Sequence, residues 1–523
     1  MDWTAGYVAD IGYSSQYYPE LNPARLPIAL LNAGYAPPRI RTACELGFGQ
    51  GVSVNMHAAA QPNVEWYGND FNPSHAAFAA GLAEAAGSKA QLTDESFAEF
   101  FARDDLPDFD YIGLHGVWSW ISDENRALIV DFIRRKLRVG GVVYISYNTL
   151  PGWAAAMPLR QLMAEHATTL SAPGLATEDK VEAALAHVEA LLAVEPAYLA
   201  SNPQVAQRFA QMKGLDRRYL AHEYFNRDWK PMYFSEVADM LSAAKLSFAC
   251  SANYSDMLDE IWMTPEQKAL IDAAPTDLLT QGVRDFIVNQ QFRKDIWIKG
   301  GETPSPRSRM QMLTEQRIAL VAPVESVTMA IELNGRQITL QEEVYRPILD
   351  ILSDHRPHTI GEIQAAVTPV GVAPLQVLQA VIVLLAANFI AAAQTSATEE
   401  AARAGAARMN AAILARVRQG EELPYAASAV VGGAIIMDRV TQLIADAVER
   451  GAVAAEAVAE EVWSILNAEG RVVLKDGQAI ETIEGNKAEL YARAEVFLKE
   501  KSPLLQAVGA TFAISSPKAR HKK

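Results

Sequence analysis

The sequence predicts an α/β fold with a parallel sheet in its first part and helical units after it. Three observations carry this. Strand-like and helix-like runs alternate from Arg39 to Tyr147, the pattern of parallel strands joined by helical crossovers. A glycine-rich turn at 45–51 separates the first strand from the first helix. The chain has 523 residues, too many for one hydrophobic core, so roughly two to four domains are expected.

Residues 40–46 are a short β-like run that ends in glycines, and 52–60 read as a helix. Residues 64–69 are a second strand and 74–86 a helix. Residues 90–93 are a short third strand, 109–114 a fourth, and 124–137 an amphipathic helix. Gly140 and Gly141 are expected to turn the chain into a fifth strand, 142–147. From Pro158 to about Lys213 the pattern is helical, an insertion over the sheet. Strand-like runs return at 246–252 and 294–299 as candidates for strands six and seven. The first domain then spans 1–300, with the insertion at about 155–215 and a further segment at about 216–300.

Residues 301–320 are expected as a linker, with prolines and serines clustered at 304–309. In the next unit, 321–395, runs at 327–333 and 336–340 flank Asn334-Gly335, a tight hairpin signal. Helix-like segments follow at 341–353, 359–367 and 374–386. A hairpin with three helices resembles a winged-helix unit, which serves DNA binding, protein docking or dimerisation; the acidic balance favours the latter two. Residues 396–523 are a mostly helical, Ala-rich C-terminal domain. It is broken at 424–433 and by a hairpin at 471–483 that turns at Asp476-Gly477.

Half of the residues are hydrophobic and 21% are charged, as in globular chains. Acids outnumber bases 62 to 46, for a net charge of −16. No basic face for nucleic acid is visible. The basic tail of Lys518, Arg520, Lys522 and Lys523 reads as a frayed end. No apolar run is long enough to span a bilayer, and 380–393, the most apolar stretch, reads as a buried helix. No secretory signal is expected at the N-terminus. Cys44 and Cys250 sit in apolar runs and read as core residues in a reducing, cytoplasmic setting. Metal binding is not expected, because there is no cysteine cluster and the nine histidines are scattered.

The strongest local signal is Glu45-Leu46-Gly47-Phe48-Gly49-Gln50-Gly51, placed between a strand and a helix. Glycines let the backbone turn sharply and approach a ligand, and the helix start offers free N–H groups. Asp70 closes the second strand at the spacing where an acid meets ribose hydroxyls. Dinucleotide loops follow G-x-G-x-x-G and cradle a pyrophosphate. Here the spacing is G-x-G-x-G with an acid, Glu45, two residues before it. A carboxylate repels a bridging phosphate, so S-adenosylmethionine fits better than a nicotinamide dinucleotide. A turn that binds nothing is the remaining alternative.

Several stretches resemble a bacterial group of class I S-adenosylmethionine-dependent methyltransferases with an appended methyltransferase regulatory domain. The group includes the rickettsial-type protein-lysine methyltransferases. The stretches are Tyr17-Tyr18-Pro19-Glu20-Leu21, Cys44-Glu45-Leu46-Gly47, Gly68-Asn69-Asp70-Phe71-Asn72-Pro73, and Leu114-His115-Gly116-Val117-Trp118-Ser119-Trp120. Ser146-Tyr147-Asn148-Thr149-Leu150-Pro151-Gly152-Trp153, His222-Glu223-Tyr224-Phe225-Asn226-Arg227-Asp228-Trp229 and Val473-Leu474-Lys475-Asp476-Gly477 extend the likeness over nearly the whole chain.

The resemblance implies a Rossmann-like class I methyltransferase sheet with a helical insertion, and a regulatory-type segment at about 216–300. It implies a cofactor loop at Glu45, Gly47, Gly49 and Gly51, a ribose acid at Asp70 with Phe71 beside it, and adenine neighbours at Ser96 and Phe97. It places His115 and Gly116 at the end of the fourth strand, facing the sulfonium and the substrate. Tyr17 and Tyr18 precede the first strand, in a segment that either folds over the cofactor, with Tyr18 binding it, or packs as a plain helix. The sequence departs from the group's pattern at Phe48 and Trp118.

His115, Trp118 and Tyr147 are the catalytic candidates, and Trp120 and Trp153 are further aromatics at or past strand ends. Aromatic faces attract ammonium groups. Each also has a plain reading as core. His222 and Glu223 are either a base with its orienting partner or a cap of the insertion on the sheet. Methyl transfer needs alignment and water exclusion more than a catalytic dyad. The expected activity is methylation of protein lysine side chains. The alternatives are methylation of a small metabolite or glycan intermediate, and a non-catalytic, cofactor-binding regulatory protein. A protein substrate is the expected partner, with no nucleic acid and no membrane insertion, and a homo-oligomer is compatible with the sequence.

Overall fold

The computed structural model describes residues 4, 6–8, 11–12, 15–169, 174–333 and 335–512. Asn334 and the basic tail at 518–523 lie outside the described residues. Seven strands form the main sheet: β1 (Thr42–Leu46), β2 (Glu65–Asn69), β3 (Gln91–Thr93), β4 (Phe109–Leu114), β5 (Leu137–Asn148), β6 (Ser247–Ser251) and β7 (Phe292–Ile298). Their order is β3-β2-β1-β4-β5-β7-β6. The first five are parallel, and β7 runs antiparallel to both β5 and β6. Helices α1 (Leu26–Asn32), α2 (Val52–Ala60), α3 (Pro73–Ala86), α4 (Phe97–Phe101) and α5 (Asp123–Lys136) accompany the parallel half.

Every residue of β1 is buried, because helices cover both faces of a parallel sheet. This is why the strand does not alternate apolar and polar residues. The strand order reverses between β2-β1 and β4. Chain crossovers leave in opposite directions there and open a crevice beyond the carboxyl ends of β1 and β4.

Gly140 and Gly141 do not make a turn. They lie inside β5, where the Gly140 N–H donates to the Lys299 carbonyl (2.6 Å) and the Lys299 N–H to the Gly141 carbonyl (3.0 Å). Pairing to the antiparallel neighbour holds both glycines in the sheet. The irregularity appears instead as a register shift against β4 between Phe109 and Tyr111.

The insertion packs helices Met157–Thr169, Thr177–Ala193, Gln204–Lys213 and Arg217–Tyr224 around Trp153, Met163, Leu185 and Phe209. The stretch expected as a linker is helical over Pro306–Thr314. Ser305 caps it by accepting from the Ser308 N–H, and Pro306 takes the first helical position, so the Ser-Pro pair is a helix start. Strand Arg317–Leu320 then joins His358–Thr359 and Ile390–Ala393 in a three-stranded antiparallel sheet.

The hairpin Ala330–Leu333 with Arg336–Thr339 forms its own two-stranded sheet and adds no wing to the other. Helices Glu342–Leu352, Ile360–Val367 and Pro374–Ala386 follow the expected positions. The apolar stretch 380–393 is not one helix. Asn388 takes φ 57°, a left-handed position that ends a helix, and the chain continues as a strand. The break expected at 424–433 contains a hairpin, Tyr425–Ser428 with Gly433–Ile436.

Helix Ser396–Val417 packs on α2 and α3, where Ala402, Ala406, Met409 and Ile413 meet Met56, Ala59, Leu82 and Ala86. The C-terminal part therefore shares a core with the main sheet. Its alanines permit close approach, and a Cβ added at Gly405 would lie 2.2 Å from the Ala59 carbonyl oxygen. Gly405→Ala is expected to lower the free energy of unfolding by about 1–3 kcal/mol through overpacking. Urea unfolding measures this, and an unchanged midpoint would show that the two helices can separate freely.

Candidate functional site

A cavity of about 340 Å³ opens in the crevice beyond β1, β2 and β4. Its floor is the loop after β1. Gly47, Gly49 and Gly51 all have positive φ (66°, 58° and 68°), so the loop follows a path that side chains resist. A Cβ at Gly47 would meet Val117 at 2.6 Å, and one at Gly51 would meet the Ala79 Cβ at 2.6 Å.

Asp70 ties this loop to the end of β2. Its Oδ2 accepts from the Gly49 N–H (2.8 Å), and its Oδ1 accepts from the Asn72 N–H (3.0 Å) and lies 3.2 Å from His75 Nδ1. Backbone bonds from Gly47 and Phe48 to the Asn69 carbonyl complete the junction. Asn72 caps α3 by accepting from the Ser74 N–H, which aims the start of that helix at the crevice.

Of the residues predicted for the site, Tyr18, Glu45, Gly47, Gly49, Asp70, Phe71, Ser96, Phe97, His115 and Gly116 line the cavity. Three do not. Gly51 lies behind the loop, where it starts α2 against α3. Trp118 is fully buried in the core beside Phe132 and Ile145, and Trp120, two residues on, takes the cavity wall. Tyr147 is fully buried as well, with its hydroxyl 2.7 Å from Asp295 Oδ2. Alternation along β5 explains this: Ser146 accepts from the Gly116 N–H at the cavity, so Tyr147 faces the other side of the sheet. Trp153 belongs to the core of the helical insertion.

The structure adds residues that the sequence reading did not single out: Tyr7, Gln16, His75 and Asp228 also line the cavity. Asp228 stood within a quoted motif without a role, whereas no local pattern marks Tyr7. His222 and Glu223 do not line the cavity; His222 Nε2 lies 3.2 Å from the Ile11 carbonyl and its ring packs near Tyr7.

Three carboxylates, Glu45, Asp70 and Asp228, line the cavity, and no lysine or arginine does among the described residues. Burial, reinforced by the nearby Asp70 charge, pushes the Glu45 carboxyl up to about 8. Glu45, Asn69 and His75 are cavity-lining residues in which one polar atom each (Oε2, Oδ1 and Nε2) is buried without a hydrogen-bond partner. Unpaired buried polar atoms are costly and uncommon. His115 stacks on Tyr18 (3.8 Å between ring centres) and its Nδ1 lies 2.7 Å from the Tyr144 hydroxyl. Burial pulls its imidazole down to about 3, so the ring is neutral at neutral pH. Among the described residues no group of three or more His, Cys, Asp or Glu side chains could hold a metal ion. No helix among them is long and apolar enough to cross a membrane.

A sheet in this order, with its site at the β1/β4 crevice, defines the class I methyltransferase fold. A family model described as a predicted methyltransferase regulatory domain matches residues 216–299. The Synechocystis protein sll1526 is 37% identical over 97% of this chain and all of its own length. The Rickettsia prowazekii protein RP789 is 27% identical over 54% of this chain and 51% of its own. Among solved structures, PKMT2 from Rickettsia typhi in complex with AdoHcy superposes with a TM-score of 0.69. At 17% identity it covers 95% of this chain and all of its own. The chain thus belongs to the family of the Synechocystis protein, with the class I methyltransferase fold and a match to the predicted methyltransferase regulatory domain.

Two imidazoles, those of buried His57 and half-buried His115, tie stability to pH. Burial holds both His115 and His57 down to about 3, against about 6.5 in an unfolded chain. Between those values the unfolded chain binds protons that the folded chain does not, so stability falls as pH falls below about 6.5. Each ring contributes a slope of up to about 1.4 kcal/mol per pH unit. Urea unfolding across this range should show the loss, and His57→Phe should make it shallower; an unaltered slope in the variant would contradict neutral burial of His57.

Proposed function

We propose that the chain is an S-adenosylmethionine-dependent methyltransferase whose acceptor is the side-chain amine of protein lysines. One observation carries the reading: the cavity is lined by carboxylates without a compensating lysine or arginine. Such a site favours ligands that bring positive charge. It disfavours a dinucleotide, whose phosphates Asp70 and Asp228 would repel.

The residues present fit this cofactor. The free oxygen of Glu45 is suited to an ammonium group, and the free Asn69 Oδ1 to a hydroxyl or amine donor. Asp70, beside the loop it holds, is suited to ribose hydroxyls. Ser96 and Phe97 provide an edge and a face for the adenine. When bound, S-adenosylmethionine supplies a methyl group already activated for displacement by its positively charged sulfur.

The chain's own residues then have three tasks. His115, kept neutral by burial, can sit beside a positive centre without repulsion. Phe48, Phe71, Phe97 and Val117 make the walls apolar, which excludes water and favours the uncharged, nucleophilic form of an incoming amine. Tyr7, Tyr18 and Trp120 present aromatic faces that attract ammonium and methylammonium groups. Trp118 and Tyr147 support the site from within the core and take no part at the acceptor. The lysine acceptor is further supported by the resemblance to rickettsial-type protein-lysine methyltransferases.

Two measurements test the proposal. At about pH 7 most of the free protein carries a proton on Glu45, and pairing with an ammonium expels it. Calorimetric titration with S-adenosylmethionine should therefore give an enthalpy that depends on the buffer's ionisation enthalpy, and Glu45→Gln should remove that dependence. A dependence that survives in Glu45→Gln would refute the role of Glu45. Incubation with methyl-labelled cofactor and a protein extract should place label on lysine side chains. Label confined to small molecules would instead favour a metabolite acceptor.

A further inference from the structure

We propose that the C-terminal part of the chain sets cofactor affinity through a strap, residues 16–22, whose adjacent tyrosines are held in opposite directions. Tyr18 is held over the cavity and Tyr17 in the hairpin Tyr425–Ser428/Gly433–Ile436. The proposal rests on the reading that the cavity takes S-adenosylmethionine.

The strap's backbone is extended at Tyr18, and the adjacent rings of Tyr17 and Tyr18 meet different partners. Tyr18 stacks on His115 and lines the cavity with Gln16 and Leu21. Its N–H donates to Ser53 Oγ on α2 (2.9 Å). Tyr17 points away from the cavity, into the joint between α2 and the C-terminal hairpin. Its hydroxyl lies 3.2 Å from His57 Nε2, and its ring centre lies 5.4 Å from that of His57 and 5.8 Å from that of Tyr425.

A second attachment lies at the far end of the strap. The Asn22 side-chain amide donates to the Val431 carbonyl (3.2 Å), and Asn22 Oδ1 accepts from Gln61 Nε2 (2.8 Å). Gln61 Nε2 donates in addition to the Gly432 carbonyl. Asn22, Gln61 and Tyr17 are all buried, so these bonds are shielded from water. Gly433 is the point of closest approach. A Cβ there would lie 2.2 Å from the Tyr17 hydroxyl oxygen and 2.7 Å from Asn22 Nδ2.

None of the hairpin residues lines the cavity. Yet the hairpin grips the strap at residues 17 and 22, on both sides of the tyrosine that covers the cavity. Fixing Tyr18 in place before the ligand arrives spares the entropy of ordering it at binding, which raises affinity. Linkage is reciprocal, so a ligand that settles under Tyr18 must in turn stabilise the hairpin. This gives the C-terminal part a role in the reaction: events that loosen the hairpin lower cofactor occupancy.

The test uses the full chain and AdoHcy, the demethylated product, as the probe. Hydrogen exchange with and without AdoHcy should show slower exchange in residues 425–436, far from the ligand. Gly433→Ala should weaken AdoHcy binding by about tenfold, from the lost preorganisation of Tyr18. Adding Tyr17→Phe, which removes the atom that the new methyl group strikes, should restore most of that affinity. A role in stability alone would not produce this rescue. If AdoHcy binds the wild type but leaves exchange at 425–436 unchanged, or if Gly433→Ala binds it equally well, the strap proposal fails while the cofactor reading stands. If the wild type binds neither AdoHcy nor S-adenosylmethionine, both fail. Should Gly433→Ala fold poorly, the exchange experiment on the wild type decides alone.

Discussion

The site depends on one carboxylate, that of Asp70. Through it the Gly49 N–H, the Asn72 N–H and His75 Nδ1 converge at the end of β2. The loop after β1 carries three glycines in left-handed conformations and has little intrinsic preference for one path. Asp70 supplies that preference from the next strand. Its other bonds orient the first turn of α3, so the floor and one wall of the cavity share a single fastening. Val117 and Ala79 then fill the space that side chains at Gly47 and Gly51 would occupy.

Charge explains why such a site is kept. Burying Glu45 near Asp70 is unfavourable, and the protein answers by pushing the Glu45 carboxyl up to about 8. A structural role would call for a lysine, an arginine or a ring of amide donors. Instead one Glu45 oxygen and the Asn69 oxygen are left without partners beside an open cavity. Such an arrangement suits a ligand that brings donors and positive charge. His115 obeys the same economy, since a protonated imidazole there would compete with that ligand.

Much of this was legible in the sequence, and the exceptions have physical causes. The Gly-rich loop and Asp70 are local signals, so their positions in the site followed from spacing alone. Strands β1 to β4 were found because parallel strands between helices alternate at a regular interval. Gly140-Gly141 misled because a glycine pair is a turn signal until an antiparallel neighbour pairs with it, and that neighbour, Lys299, is remote in sequence. Trp118 and Tyr147 misled in a related way. A motif places residues along a chain, but the side of a strand or turn to which a ring points is decided by packing. Trp120 lines the cavity instead, and Ser146 holds the cavity-lining Gly116. Tyr7 carried no signal, because it reaches the cavity through the tertiary path of the N-terminal segment. The strand Arg317–Leu320 went unseen because its partners lie about 40 and 70 residues further along the chain.

The second half of the chain is joined to the first by the shared core under Ser396–Val417 and by the bonds to Tyr17 and Asn22. The central claim concerns the loop and its carboxylate. Calorimetric titration of AdoHcy into the wild type and into Asp70→Ala tests it most directly. Loss of a charged hydrogen-bonding group at the loop should weaken binding by roughly 10- to 100-fold, with the folded state retained. Equal affinity in the two proteins would contradict the account.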